Sequence, residues 1–200
     1  MTVYTIVKFL HVVGAIGYFV AVGTTLVGLA ALQRARRVEQ VLAFAELVRR
    51  LTPLFNLSIL LLLLAGLYMT ATVWGFETGW IDVALVSLVI LVPIAAVIVQ
   101  SHLRVIAQLA NAEADGPLSA ELLARTHDPT LLTTPRTVTA LLVGIVFLMT
   151  NKPALPMALL VMASALVLGM VWGMLAARMS RAGGHGVRAP AAAGASELRE

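Results

Sequence analysis

The chain has no cysteine, and charged residues make up only 12% of its 200 residues. The lack of cysteine excludes disulfides, thiolate metal sites and cysteine nucleophiles, so a metal would need histidine, methionine, a carboxylate or a cofactor. The long apolar runs hold no Asp or Glu beyond their first turns, whereas a proton- or sodium-coupled transporter usually keeps an acidic residue near mid-membrane. Nucleotide-binding loops, HExxH motifs and serine elbows are also absent, so no enzyme class is indicated.

Hydrophobic residues, in contrast, make up 60% of the chain, and the mean hydropathy is +0.95. This composition lies far outside the range of a water-soluble domain and predicts an integral membrane protein. The apolar runs are continuous rather than alternating, and backbone amides in hydrocarbon must be satisfied within the chain, so the spans are predicted as helices rather than barrel strands. The fold class is therefore all-α, a polytopic membrane helical bundle.

Five apolar segments are long enough to be transmembrane helices. They are predicted at about residues 3–32, 53–74, 81–110, 134–150 and 156–179. The second should start at Thr52-Pro53, a hydroxyl N-cap followed by proline in the first turn, which leaves residues 33–51 as a partly helical connector. Residues 1–180 would form one bundle, and residues 181–200, which lack apolar periodicity, are predicted to be a disordered cytoplasmic tail.

The basic residues predict the orientation of the bundle. They are concentrated in the first and third connections and in the tail, whereas the second connection has none and the fourth has only Lys152. By the positive-inside rule the N-terminus lies outside and the C-terminus inside a bacterial inner membrane. The pI near 10 does not indicate nucleic acid, because these residues lie in short loops beside the spans. The expected partner is the lipid bilayer, with a membrane protein or a second copy of the chain as further possibilities.

Small residues recur on one face of the first helix and on one face of the fifth. Such faces let a neighbouring helix approach closely. For the fifth helix, packing within the chain is favoured over a homodimer. The predicted packing positions are Gly14, Gly17, Ala21 and Gly28 in the first helix and Gly169 and Gly173 in the fifth.

His11 is the only histidine deep inside an apolar run, roughly 10 to 15 Å below the outer membrane surface. Because an ionisable group is costly there, three interpretations stand: a neutral imidazole hydrogen-bonded between helices, a ligand of haem iron or another metal, or a proton relay. Met69, Met149 and Met162 lie at a similar depth, and Met69 is taken as the candidate second ligand, although methionine on a bundle helix usually serves packing. His102 lies roughly 20 Å from that level and cannot share the metal.

Four stretches carry a family resemblance: KFLHVVGAI, QSHLRVIAQL, EADGPLSAELLARTHDP and FLMTNKP. In this order they resemble the domain of unknown function 2269 family of bacterial predicted integral membrane proteins, over about residues 4–153. That resemblance implies a class of protein and no reaction. The Lys-x-x-His-x-x-Gly pattern of the first helix is also similar to membrane proteins of the copper-resistance D and protoporphyrinogen-oxidase type, in which a helix-one histidine is associated with haem or metal. This similarity transfers only to His11.

Together these observations favour an integral inner-membrane protein that is a non-enzymatic membrane component or an accessory subunit. The alternative is a haem- or metal-binding redox protein with His11 as ligand and haem b as a possible cofactor. A small solute channel or carrier ranks third, because the spans lack paired charges.

Overall fold

The computed structural model describes the backbone of residues 2–185 and the side chains of residues 2–180. Within that part the chain is helical, with no strand, and five of its helices are long and apolar enough to cross a membrane. The predicted all-α membrane bundle with five spans is therefore confirmed. The helices are α1 (Val3–Arg34), α2 (Val38–Met69, continued by a π-helical turn at Thr70–Trp74), α3 (Gly79–Ala112), α4 (Ala120–Thr126), α5 (Pro129–Asn151) and α6 (Leu155–His185).

The bundle is built from two helix pairs. The helices α1 and α2 pack along their lengths, as do α5 and α6, while α3 packs mainly on α5 and less on α2. We call the end that carries Trp74, Trp80 and the turn before α6 the tryptophan face. The opposite end, which carries residues 35–37 and the segment around α4, is called the arginine face.

The second helix begins at Val38, so the predicted start at Thr52-Pro53 is wrong. Thr52 is not a cap, because its hydroxyl donates a hydrogen bond to the carbonyl one turn earlier, at 3.1 Å. Pro53 lies inside the helix, where proline removes a backbone hydrogen bond and costs about 3 kcal/mol. The helix continues because its first turns bury Val38, Val41 and Phe44 in a core at the arginine face, and that burial offsets the cost.

The other helices also extend beyond their predicted ends. The helix predicted from residue 134 begins at Pro129, because the Asp128 side chain caps it by accepting hydrogen bonds from two backbone N–H groups at 2.8 and 3.3 Å. Proline suits the first turn of a helix, where its missing N–H has no partner to lose. The last helix runs to His185, so residues 181–185 of the predicted tail are helical. The rest of that tail, residues 186–200, lies outside the described residues.

The core at the arginine face ties the connections together. Leu29, Leu32, Leu122 and Leu131 are fully or almost fully buried there. Backbone hydrogen bonds join the α1–α2 connection to the segment before α4, from the Val38 N–H to the Gly116 carbonyl at 3.0 Å. This end is closed by packed side chains. The cavity described next lies toward the opposite end.

Candidate functional site

A cavity of about 840 Å³ lies in the half of the bundle nearer the tryptophan face. Its walls come from α1, α2, α3 and α5, and they are mostly aliphatic and aromatic. The volume lies within the range of ligand and cofactor sites, which are typically apolar with a few placed polar groups. The polar residues that line it are Tyr4, Lys8, His11, Tyr18, Thr70, Trp74, Trp80, Thr150 and Lys152.

His11 lies in the wall of this cavity and is held by α2. Its Nδ1 is 3.0 Å from the carbonyl oxygen of Leu62, and because a carbonyl can only accept, Nδ1 carries the proton and donates it. The imidazole edge lies over Gly66, where an added Cβ would be 3.3 Å from the His11 Cε1. In a neutral imidazole the other nitrogen, Nε2, is then an acceptor, and it forms no hydrogen bond with the described residues.

Two methionines line the same cavity. Met69 belongs to α2, the helix against which His11 rests, and Met149 belongs to α5. Met162, at a similar depth in α6, does not line the cavity and is buried in a cluster of α3, α5 and α6 residues that includes Trp80. Of the three methionines that the sequence places at the depth of His11, the structure thus brings Met69 and Met149 to the cavity of His11 and leaves Met162 outside it.

Both lysines of the chain line this cavity. Lys8 is one turn from His11 on α1, and Lys152 ends α5 in a left-handed conformation with φ 48°. The Lys152 Nζ is 4.4 Å from the centroid of the Trp74 ring, a distance typical of a cation–π contact. Trp74 in turn contacts Trp80 edge to face, with ring centroids 5.6 Å apart.

Tyr18 lies at the other end of the cavity. Only 1% of it is exposed, its ring centroid is 4.7 Å from that of Phe55, and its hydroxyl has no hydrogen-bond partner among residues 2–180. On its far side is a smaller cavity of about 90 Å³ that includes Thr25, Thr52 and Gln100. Tyr18 therefore separates the large cavity from this inner one.

The glycines predicted as packing positions lie at helix contacts within the chain. An added Cβ at Gly14 would be 2.9 Å from the Leu62 backbone nitrogen, and one at Gly169 would be 2.7 Å from the Thr137 Cα. Gly17 lies against Ser58, Gly28 against Phe44, and Gly173 against Thr133. Ala21 is buried and lines the inner cavity. The α1 face therefore meets α2, and the α6 face meets α5.

His102 lies apart from this site. Its Nδ1 donates to the Ile98 carbonyl at 2.8 Å, and its Nε2 is 3.6 Å from Asp128 Oδ1 at the arginine face. In the described part of the chain no three His, Cys, Asp or Glu side chains are grouped so that they could hold a metal ion. A metal at His11 would therefore need a cofactor or thioether to complete its coordination.

Several features of the site carry no signal in the sequence. The Leu62 carbonyl and Gly66 belong to a leucine-rich stretch in which no position stands out. Lys152 is separated from Lys8 by most of the chain, and only the packing of α5 beside α1 brings the two to one cavity.

One comparison with known proteins identifies related sequences. The model of a family described as "Predicted integral membrane protein (DUF2269)" matches residues 5–153, more than half of the chain. No curated protein and no solved structure matches it.

Proposed function

The chain belongs to the DUF2269 family of predicted integral membrane proteins, and from this premise we propose that it is a haem-binding component of the bacterial inner membrane with His11 as the iron ligand. Such a component would be an electron-carrying accessory subunit rather than an enzyme. The N-terminus would lie outside and the C-terminus inside, as the distribution of basic residues indicates.

The hydrogen bond of His11 carries this proposal. A histidine that ligates a metal nearly always donates its other ring N–H to a carbonyl or a carboxylate, which orients the ring and makes the ligating nitrogen more basic. His11 has this arrangement, with Nδ1 donating to the Leu62 carbonyl at 3.0 Å. A histidine that served only to join two helices would not need to line a cavity of about 840 Å³.

The cavity supports haem rather than a bare metal ion. Its lining is mainly apolar, and it includes neither carboxylate nor thiolate among the described residues, so a free ion would lack ligands. A porphyrin brings four nitrogens of its own and leaves one or two axial positions for the protein. His11 would fill one, and Met69 or Met149 is available for the other. When bound, the haem would supply one-electron transfer, while the apolar walls exclude water and hold the ring.

The test is the visible spectrum of the detergent-purified protein, oxidised and then reduced, after expression with added haem precursor. We expect a Soret band in the wild type and its loss in His11→Ala. His102→Ala is the matched control, because it removes a histidine that lies outside the cavity, and it should leave the band unchanged. A colourless wild type, or an equal band in His11→Ala, would overturn the proposal.

A further inference from the structure

The two lysines of the chain lie at one cavity although the sequence separates them widely. Among residues 2–180, whose side chains the structure describes, no arginine and no acidic residue lines the cavity, so Lys8 and Lys152 are the only charged groups of that part of the chain in its lining. Neither takes part in an ion pair in the described structure. Within residues 2–180 the apolar cavity therefore has two cations without anionic partners.

Both lysines lie at the same end of the apolar cavity. Lys8 precedes His11 by three residues, so its Cα lies about 4.5 Å nearer the tryptophan face on a similar side of α1. Lys152 follows α5 at the same face, and the Trp74 ring under its ammonium group orients it. Both side chains belong to exposed residues. The charges thus lie at the end of the cavity nearer the tryptophan face, and the apolar walls extend from them toward Tyr18.

We propose that Lys8 and Lys152 form a carboxylate-binding rim, and that the ligand is an apolar dicarboxylate which enters with its ring system toward Tyr18 and its carboxylates toward the tryptophan face. This inference rests on the proposed function, since haem b is such a molecule. Beyond the proposed function, the inference specifies how the ligand is oriented in the cavity and which side chains bind its carboxylates. The lysine rim sets which end of the porphyrin is held, while His11 ligates the iron.

The recognition can be measured without iron. Protoporphyrin IX carries the two carboxylates, and its dimethyl ester has the same ring with no charge. Their binding to the purified protein in detergent is followed by porphyrin fluorescence and by quenching of tryptophan emission, to which Trp74 and Trp80 contribute at the rim. Because Lys8 and Lys152 are exposed, each ion pair should be worth up to about fivefold in affinity. We expect the free acid to bind about tenfold more tightly than the ester.

Lysine variants test whether the tighter binding of the free acid depends on Lys8 and Lys152. In the double variant Lys8→Gln/Lys152→Gln the acid and the ester should bind equally, whereas Lys8→Arg/Lys152→Arg, which keeps both charges, should retain most of the preference. Arg104→Gln removes one exposed charge at the arginine face and should leave the tenfold preference intact. The preference should also shrink at high salt, because exposed charges are screened. An equal acid preference in the Lys→Gln variant, or none in the wild type, would overturn the proposal.

Two further results separate this inference from the proposed function. If His11→Ala keeps the lysine-dependent preference for the free acid while wild-type protein shows no Soret band with haem, the rim stands and haem ligation fails. If the Soret band depends on His11 but acid and ester bind alike, haem ligation stands and the rim fails. Oleate that displaces the porphyrin at equal concentration would show that a simple fatty acid is the occupant, and this would overturn the assignment to a dicarboxylate ring.

Discussion

At the scale of single residues, the contact between His11 and Gly66 is the most sensitive part of the proposed site. The imidazole packs directly against Gly66 of α2. A Cβ at this position would lie 3.3 Å from the His11 Cε1. That separation is already tight, so the ring would have to shift by a few tenths of an ångström. The hydrogen bond to Leu62 sets the tautomer, and Gly66 provides the room for the ring that makes it.

Gly66→Ala should therefore weaken haem binding without unfolding the bundle. We expect a loss of about 1 kcal/mol, roughly fivefold in affinity, because the methyl group shifts the imidazole by a few tenths of an ångström and so weakens its hydrogen bond to Leu62. Haem titration of the apoprotein, read at the Soret band, gives the affinity. Gly23→Ala is the matched control, since an added Cβ there meets nothing within 4 Å. Equal affinities for both variants and the wild type would contradict this role of Gly66.

The two cavity methionines differ in the helix that carries them. Met69 shares α2 with the Leu62 carbonyl that holds His11, whereas Met149 belongs to α5. Because α1 and α2 carry and hold His11, a thioether from α5 would reach a bound haem from a different wall of the cavity, so Met149 would be the better candidate to hold the haem together with His11. The sequence places both methionines at the depth of His11, and the tertiary arrangement favours Met149.

Methionine variants distinguish these two candidates. Met149→Leu should convert the reduced spectrum from that of a six-coordinate to that of a five-coordinate haem, whereas Met69→Leu should leave it unchanged. Met162→Leu, which removes a buried thioether that does not line the cavity, is the control. The reverse result would assign the ligand to Met69, and an unchanged spectrum in both variants would leave His11 as the only protein ligand.

At the scale of helices, close packing holds the walls of the cavity in place. On the α1–α2 side Gly14 meets backbone atoms of α2, and on the α5–α6 side Gly169 meets backbone atoms of α5. In a membrane there is little hydrophobic gain from bringing two apolar helices together, so such close contacts supply much of the association energy. A backbone cannot move aside as a flexible side chain can.

Gly14→Ala and Gly169→Ala should each lower the free energy of unfolding by about 1 to 3 kcal/mol, because the added methyl group separates two packed backbones. Unfolding in mixed micelles with increasing SDS, followed by circular dichroism, measures the change. Gly23→Ala on α1 again serves as the control and should lose nothing. If Gly14→Ala were as stable as Gly23→Ala, the contact of α1 with α2 at this position would not have the geometry described.

At the scale of the whole molecule, the two ends of the bundle differ in chemistry. The tryptophan face carries Trp74, Trp80 and the two lysines, and the arginine face carries Arg34 at the end of α1 and Arg36 and Arg37 in the α1–α2 connection. Aromatic residues favour the membrane interface, and arginines in short loops favour the cytoplasm. The proposed haem site would then lie nearer the outer surface, where an electron partner outside the cytoplasm would reach it.

This orientation can be tested by single-cysteine labelling, because the chain has no cysteine of its own. Glu77→Cys, in the turn before α3, should react with a membrane-impermeant maleimide in intact spheroplasts. Asp115→Cys, in the segment before α4, should react only after the membrane is permeabilised. The opposite pattern would reverse the proposed topology and move the haem site to the cytoplasmic half of the membrane.

The amino-acid sequence by itself determined the class of this protein and its five spans, because hydropathy is a local property and each apolar run must form its own backbone hydrogen bonds. It also singled out His11, since an ionisable side chain within an apolar run is costly wherever its helix packs. Local rules failed at Pro53, where the burial of Val38 and Phe44 in a core shared with other segments carries the helix through the proline.

Only the tertiary structure decided what surrounds His11. The Leu62 carbonyl, the space over Gly66 and the lysine on the turn after α5 come from segments far apart in the chain, and their positions depend on how whole helices pack. Helices that are apolar on every side carry no periodic pattern that specifies which face meets which neighbour. That choice is made by close fits such as Gly14 against α2 and Gly169 against α5, and these fits exist only once both partners are in place.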